Sequence, residues 1–118
     1  METLTRAAIL AADDLPREPV DMPEWGGRIW VRALTAGERE AWESKYLGDG
    51  VSSGATPVAL IRASLAAFAC CDEAGKPLFS EADVPALAAK SAAAVQRVWR
   101  VAARLNGLGA ERETIEKN

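Results

Sequence analysis

Pro23-Glu24-Trp25-Gly26-Gly27-Arg28-Ile29-Trp30-Val31-Arg32-Ala33-Leu34-Thr35-Ala36-Gly37-Glu38-Arg39 passes from turn to strand to helix without a break. Trp25-Gly26-Gly27 is a turn signal. The run after it alternates with period two, placing Ile29, Val31 and Ala33 on one face and Arg28, Trp30 and Arg32 on the other. Just upstream, Pro19 and Pro23 bar a central strand but permit an edge strand. The two runs therefore predict a β-hairpin over about 17–34, closed by Gly26-Gly27. A hairpin alone is marginal in water, so it has to pack on helices. Thr35 and Glu38 have capping-box spacing and open a helix through Ala41, Trp42, Lys45 and Tyr46.

Outward from this stretch the chain reads as helical. Thr3 to Ala12 predicts a short helix, capped by Thr3 or Thr5, with Leu4, Ala8 and Ala11 on one face and Ile9 beside them. Asp13-Asp14-Leu15-Pro16 ends it, because Pro16 disfavours a helical Leu15. Beyond the hairpin and its helix, residues 48–54 are rich in Gly and Ser and predict a mobile loop. Pro57 opens a second long helix at the position proline prefers, with Val58, Ile61, Leu65 and Phe68 at helical spacing. Ala63, Ala66, Ala67 and Ala69 allow close helix approach. Asp72 to Pro77 is a turn. Ser80 and Asp83 cap a short helix in which Pro85 falls near the first turn. The last helix runs over about Ser91 to Asn106, with Val95, Val98, Trp99, Ala102 and Leu105 as its apolar stripe and Asn106-Gly107 as its stop. The expected fold class is mainly α with a small β-hairpin (α+β), a small helical domain of four to five helices over 1–108, followed by a charged tail over 109–118.

Composition bounds the chemistry. The chain has 118 residues, a net charge of −3 and no histidine. Of its hydrophobic residues 24 are alanine, so the large-side-chain core is thin and suffices for one small domain. The absence of histidine excludes a Ser/His or Cys/His triad and any zinc site with a histidine ligand, and two cysteines cannot make a Cys-only zinc site. Cys70 and Cys71 are adjacent and lack the C-x-x-C spacing of a redox pair, so they read as small core thiols in a reducing compartment. The N-terminal run is neither a signal peptide nor a membrane span, which makes the expected location the cytoplasm. Gly26-Gly27 precedes a strand, not a helix, and is no phosphate loop. Glu40 and Glu43 share a helix face but sit in an ordinary charged helix. No enzyme, cofactor or metal is expected.

Two features could meet a partner. Trp30 stands on the strand face between Arg28 and Arg32, a combination typical of interface anchors, the alternative being that the two arginine stems simply cover the ring. Residues 90–108 carry Lys90, Arg97, Arg100 and Arg104 and no acid, whereas residues 1–50 carry 6 basic and 10 acidic side chains. Arg97, Arg100 and Arg104 share one face of the last helix. That face is solvated, paired with the acidic N-terminal half, or a protein contact. Nucleic acid is not expected at a pI of about 5.0. The candidate contact residues are Trp30, Arg28, Arg32, Arg97, Arg100 and Arg104. Trp42 and Trp99 read as core, and Trp25 as part of the turn.

The stretch 23–39, the stretch from Cys71-Asp72-Glu73-Ala74-Gly75-Lys76-Pro77-Leu78-Phe79-Ser80 on to Ala86-Leu87-Ala88-Ala89-Lys90-Ser91, and the opening Ala8-Ile9-Leu10-Ala11-Ala12-Asp13-Asp14-Leu15-Pro16 together resemble the tail assembly chaperones of long-tailed bacteriophages and prophages. The resemblance covers about residues 7–107. It implies a small, helix-rich, non-enzymatic factor of the bacterial host cytoplasm. Such a factor binds the tape-measure protein, keeps it soluble during tail assembly and recruits the tail tube protein. In many members a translational frameshift adds a C-terminal extension to some copies. The family has no catalytic or ligand motif, so no binding residue carries over. A homo-oligomer is left open. The competing readings are another phage structural component, a head–tail connector or minor tail protein, and a small DNA-binding regulator that uses the arginine face.

Overall fold

The computed structural model describes residues 1–48 and 56–108. The expected loop over 48–54 lies outside these residues apart from Gly48, as does the 109–118 tail. The elements are α1 (Arg6–Ala11), β1 (Arg17–Met22), β2 (Gly27–Arg32), α2 (Ala36–Tyr46), α3 (Val58–Ala69), β3 (Cys70–Cys71), α4 (Val84–Ala88) and α5 (Ala92–Leu105), with 3-10 turns over Pro23–Trp25 and Glu81–Asp83. This is the expected mainly-α arrangement with a small sheet.

The hairpin forms where the alternation predicts it. β1 and β2 pair antiparallel with Arg17 opposite Arg32 and Val20 opposite Ile29. The connection is longer than a Gly-Gly turn. Pro23–Trp25 makes a 3-10 turn and Gly26 alone takes the left-handed conformation, at φ +79°. Glycine suits that position because a Cβ there would crowd its own backbone. β1 turns Val20 and Met22 inward and β2 contributes a fully buried Val31.

The sheet also has a third strand. The apolar run of α3 predicts helix up to the Asp72 turn, but α3 stops at Ala69. Cys70 and Cys71 become extended and pair antiparallel with Val31 and Trp30. The sheet order is β1-β2-β3, and a bridge from Cys71 to Pro77 covers part of the new edge. Exposed amide edges attract foreign strands, so a two-residue strand partly covered by a proline segment limits that risk.

α2 begins with the predicted capping box. Thr35 Oγ1 accepts the Glu38 amide (3.1 Å), and Glu38 Oε1 accepts the Thr35 amide (3.0 Å). Ser80 and Asp83 form the second box, and Ser91 caps α5 through the Ala94 amide. Pro57 sits one position before its expected place, as the N-cap of α3. At the end of α5, Asn106 is the cap residue and Gly107 takes φ +72°. The Asn106 side chain does more than stop the helix. Its Oδ1 accepts the Leu34 amide (2.8 Å), and its backbone carbonyl accepts Arg39 Nη1 (2.9 Å), which fastens the end of α5 to the junction of β2 and α2.

α3 is the hub, packed on α2, α4, α5 and β2. Its buried face is mostly small: Ala63, Ser64, Ala66, Ala67 and Ala69 beside Leu65. Small residues let the neighbouring helices approach closely, so the thin, alanine-heavy core still closes. Met22, Val31, Trp42, Leu65 and Val98 are its largest apolar residues with essentially no exposure. The Trp42 indole N–H would be costly to bury unpaired. It donates to Ser64 Oγ (2.7 Å), and the Ser64 hydroxyl donates on to the Ile61 carbonyl (2.7 Å). Trp99 is partly buried against this core, its ring centroid 6.4 Å from that of Trp42.

α1 is the exception. Thr5 Oγ1 caps it by accepting the Ala8 amide (3.1 Å), so the helix signal was correct. Yet no residue of α1 is buried, and Leu4, Ile9 and Leu10 stand open to solvent.

Candidate protein-interaction surface

The six candidate contact residues lie on the hairpin and on α5, and the fold treats them differently. Arg32 ends β2 with its side chain only 10% exposed. Its guanidinium meets Glu38 with two parallel bonds, Nη1 to Oε1 (2.9 Å) and Nη2 to Oε2 (2.7 Å), and Nη2 also donates to the Phe68 carbonyl (3.1 Å). One buried arginine thus joins the end of β2, the first turn of α2 and the last turn of α3. The fork geometry suits this role better than a lysine point charge would. The Arg32 hydrogen bonds, with help from Thr35, hold the Glu38 carboxyl down at about 2. Glu38 therefore serves the capping box and the arginine fork at once.

Trp30 is half-buried on the outer side of the sheet. The cation over its ring comes from β1: the Arg17 guanidinium carbon lies 5.9 Å from the ring centroid, and Arg17 Nε donates to the Glu73 carbonyl (2.9 Å). Arg28 instead pairs across the hairpin with Asp21 (2.8 Å), and both are well exposed. Such a pair contributes little to stability.

The arginine face of α5 is largely engaged with the acidic N-terminal half. Arg97 grips Glu24 through both nitrogens (2.7 and 2.8 Å), and Arg104 reaches Glu18 (2.6 Å). The Arg97 fork is the main reason the Glu24 carboxyl is held down at about 2. These two pairs lace α5 to β1 through Glu18 and to the 3-10 turn after it through Glu24. Arg100, between them, is exposed and has no ion-pair partner among the described residues. Of the six, Arg32 is interior, Arg28, Arg97 and Arg104 are paired, and Trp30 and Arg100 present the most unengaged surface.

Trp30 borders a hollow of about 330 Å³ lined by Asp13, Leu15, Pro16, Arg17 and Trp30. Leu15 also lines a second hollow of about 540 Å³, with Leu34, Arg39 and Leu105 among its walls. The two adjoin at Leu15 and form a mixed trough beside the hairpin base, suited to an amphipathic segment more than to a small molecule held on all sides. Sequence reasoning pointed to Trp30 but missed Leu15 and Leu105 as neighbours of this trough. Leu105 was legible only as part of the apolar stripe of the last helix, and Leu15 only as the apolar residue before Pro16 in a connection.

The remaining chemistry is sparse. Burial, and then the neighbouring Cys71, push the Cys70 thiol up to about 12, and burial raises Cys71 as well. Both are held as protonated, unreactive thiols. Among the described residues no group of three His, Cys, Asp or Glu could hold a metal ion, and no helix is long and apolar enough to cross a membrane.

The chain shares its fold with the bacteriophage HK97 tail assembly chaperone. The superposition has a TM-score of 0.57 at 17% sequence identity and covers 77% of this chain and 85% of the HK97 chaperone. The likeness therefore spans most of both molecules. No family model matches the sequence, and no curated protein matches it. At this identity the HK97 chaperone speaks for the fold, not for individual residues. Its kind is nevertheless the one that the stretches 23–39 and 71–91 resemble.

Proposed function

We propose that this protein is a phage tail assembly chaperone, a non-enzymatic factor that binds the tape-measure protein in the bacterial cytoplasm, keeps it soluble while the tail is built and recruits the tail tube protein. The observation that carries this reading is the fold shared with the HK97 chaperone over 77% of this chain. The trough between Trp30, Leu15 and Leu105 supports it physically. An amphipathic client helix can lay a few apolar side chains into such a trough. One site of this size binds weakly. Many copies along one client convert weak sites into stable coverage by raising the effective concentration of each contact.

Co-expression tests the proposal. Tape-measure protein produced with this chain is expected in the soluble fraction and to copurify with it. Trp30→Ala is expected to reduce copurification while leaving the chaperone folded, since Trp30 lies outside the fully buried set. Tape-measure protein that stays insoluble with and without this chain would overturn the reading.

A further inference from the structure

The two hollows of the trough repeat one charge pattern. Asp13 lines the hollow at Trp30, and Asp14 lines the hollow at Leu34 and Leu105. Each hollow also holds one arginine, and each arginine is engaged within the chain. Arg17 covers the Trp30 ring and donates to the Glu73 carbonyl. Arg39 Nε pairs with Glu43 (3.0 Å), and its Nη1 donates to the Asn106 carbonyl. The neutral polar side chains are engaged as well. Thr35 Oγ1 accepts the Glu38 amide, and the Asn106 side chain bonds to Leu34 and Ala102.

The two aspartates differ from all of these. Both are exposed, and neither has an ion pair among the described residues. Asp13 Oδ1 meets only the Leu15 amide, at a long 3.5 Å. The trough therefore offers a visitor half-buried Leu15, Trp30 and Leu105, together with two carboxylates whose charge nothing in the chain answers. A long basic side chain suits each hollow, because its methylenes can lie on the apolar wall while its cation reaches the carboxylate. An acidic segment would bring like charges together at both positions, with no uncommitted cation to offset them.

We infer that the trough sorts amphipathic helices by charge. It takes those whose apolar face is bordered by lysine or arginine, and Asp13 and Asp14 are its specificity residues. The inference rests on the trough being the client site, as proposed above, and adds the chemistry of the client that it accepts. The apolar wall holds the helix, while the carboxylates set the choice of partner and speed the encounter.

Two labelled amphipathic peptides of about 18 residues test this, long enough to form helix on the trough. They share one leucine face, bordered by lysines in the first and by glutamates in the second. Fluorescence anisotropy with the full chain should show the lysine peptide binding at least about tenfold tighter, since two attractions become two repulsions. The ratio should shrink as salt rises. Asp13→Asn with Asp14→Asn should bring it close to one, with an unchanged thermal transition showing that the variant folds. Glu40→Gln removes an exposed carboxylate that lines neither hollow and should leave the ratio unchanged. Trp30→Ala should weaken the lysine peptide at least about tenfold, which places it in the trough. No binding of either peptide, equal binding of both, a ratio that survives the double asparagine variant, or indifference to Trp30→Ala would each overturn the inference. These outcomes leave the tail-chaperone reading to its own test, the solubility of tape-measure protein, which uses neither peptide.

Discussion

α1 and α5 carry the same kind of sequence signal and meet opposite fates. Both begin at a hydroxyl cap, Thr5 and Ser91, and both repeat apolar residues at helical spacing. α5 buries Ala94, Val95, Val98 and Ala102, and it is tied down by Arg97 to Glu24, Arg104 to Glu18 and Asn106 to Leu34. α1 buries nothing. Periodicity announces a face that wants a partner and does not say whether the partner belongs to the same chain. What separates the two helices is their connection. α5 follows α4 through a tight turn that returns it to α3 and the sheet, whereas Asp13-Asp14-Leu15-Pro16 leads away from α1 before β1 begins.

The largest effect should come from placing a charge on each helix. Val98→Asp puts an unpaired carboxylate in the core and should cost more than about 4 kcal/mol, enough to abolish the thermal transition of a small domain. Ile9→Asp on α1 should stay within about 0.5 kcal/mol of the parent in dilute solution. Equal losses would erase the contrast between the helices. Trp42→Ala should follow, at about 3–5 kcal/mol by urea unfolding, since it empties the largest fully buried site and strips Ser64 of its donor.

Glu38→Gln should cost about 2 kcal/mol, because it leaves Arg32 buried with a neutral partner. The same variant tests a pH effect. A carboxyl held at about 2 when folded, against an ordinary value of 4.5, contributes stability that is complete above about 4.5 and lost as pH falls toward 2. Acid titration of the parent should therefore show stability falling through that window, and Glu38→Gln should show a shallower fall. Glu24 adds to the parent's slope in the same direction. The smallest effect belongs to Arg104→Gln on the exposed face of α5. Its loss should stay under about 1 kcal/mol and shrink further in high salt. A larger loss would make surface pairing, not burial, the reason α5 is seated.

What the sequence made legible was local. The hairpin, both capping boxes, the Asn106-Gly107 stop and the break after α1 each depend on residues within a few positions of one another. β3 was hidden because Cys70 and Cys71 continue the apolar run of α3, and only their pairing with Trp30 and Val31, some forty residues upstream, makes them a strand. Strict alternation places Arg32 on the outer face beside Trp30. Its position just before a capping box lets it share Glu38, which turns it inward at the end of the strand. The trough was invisible for the same reason as β3, since Leu15, Trp30 and Leu105 meet only in the folded chain.

Hydrogen exchange, read residue by residue in dilute solution, tests the contrast between α1 and α5 most directly. The account predicts that in dilute solution the α5 amides from Val98 to Leu105 exchange slowly, through global opening, while those of Ile9 to Ala11 exchange almost as fast as in an unfolded chain. An α1 as protected as α5 in dilute solution would contradict the account, because the helix would then have found its partner within its own chain.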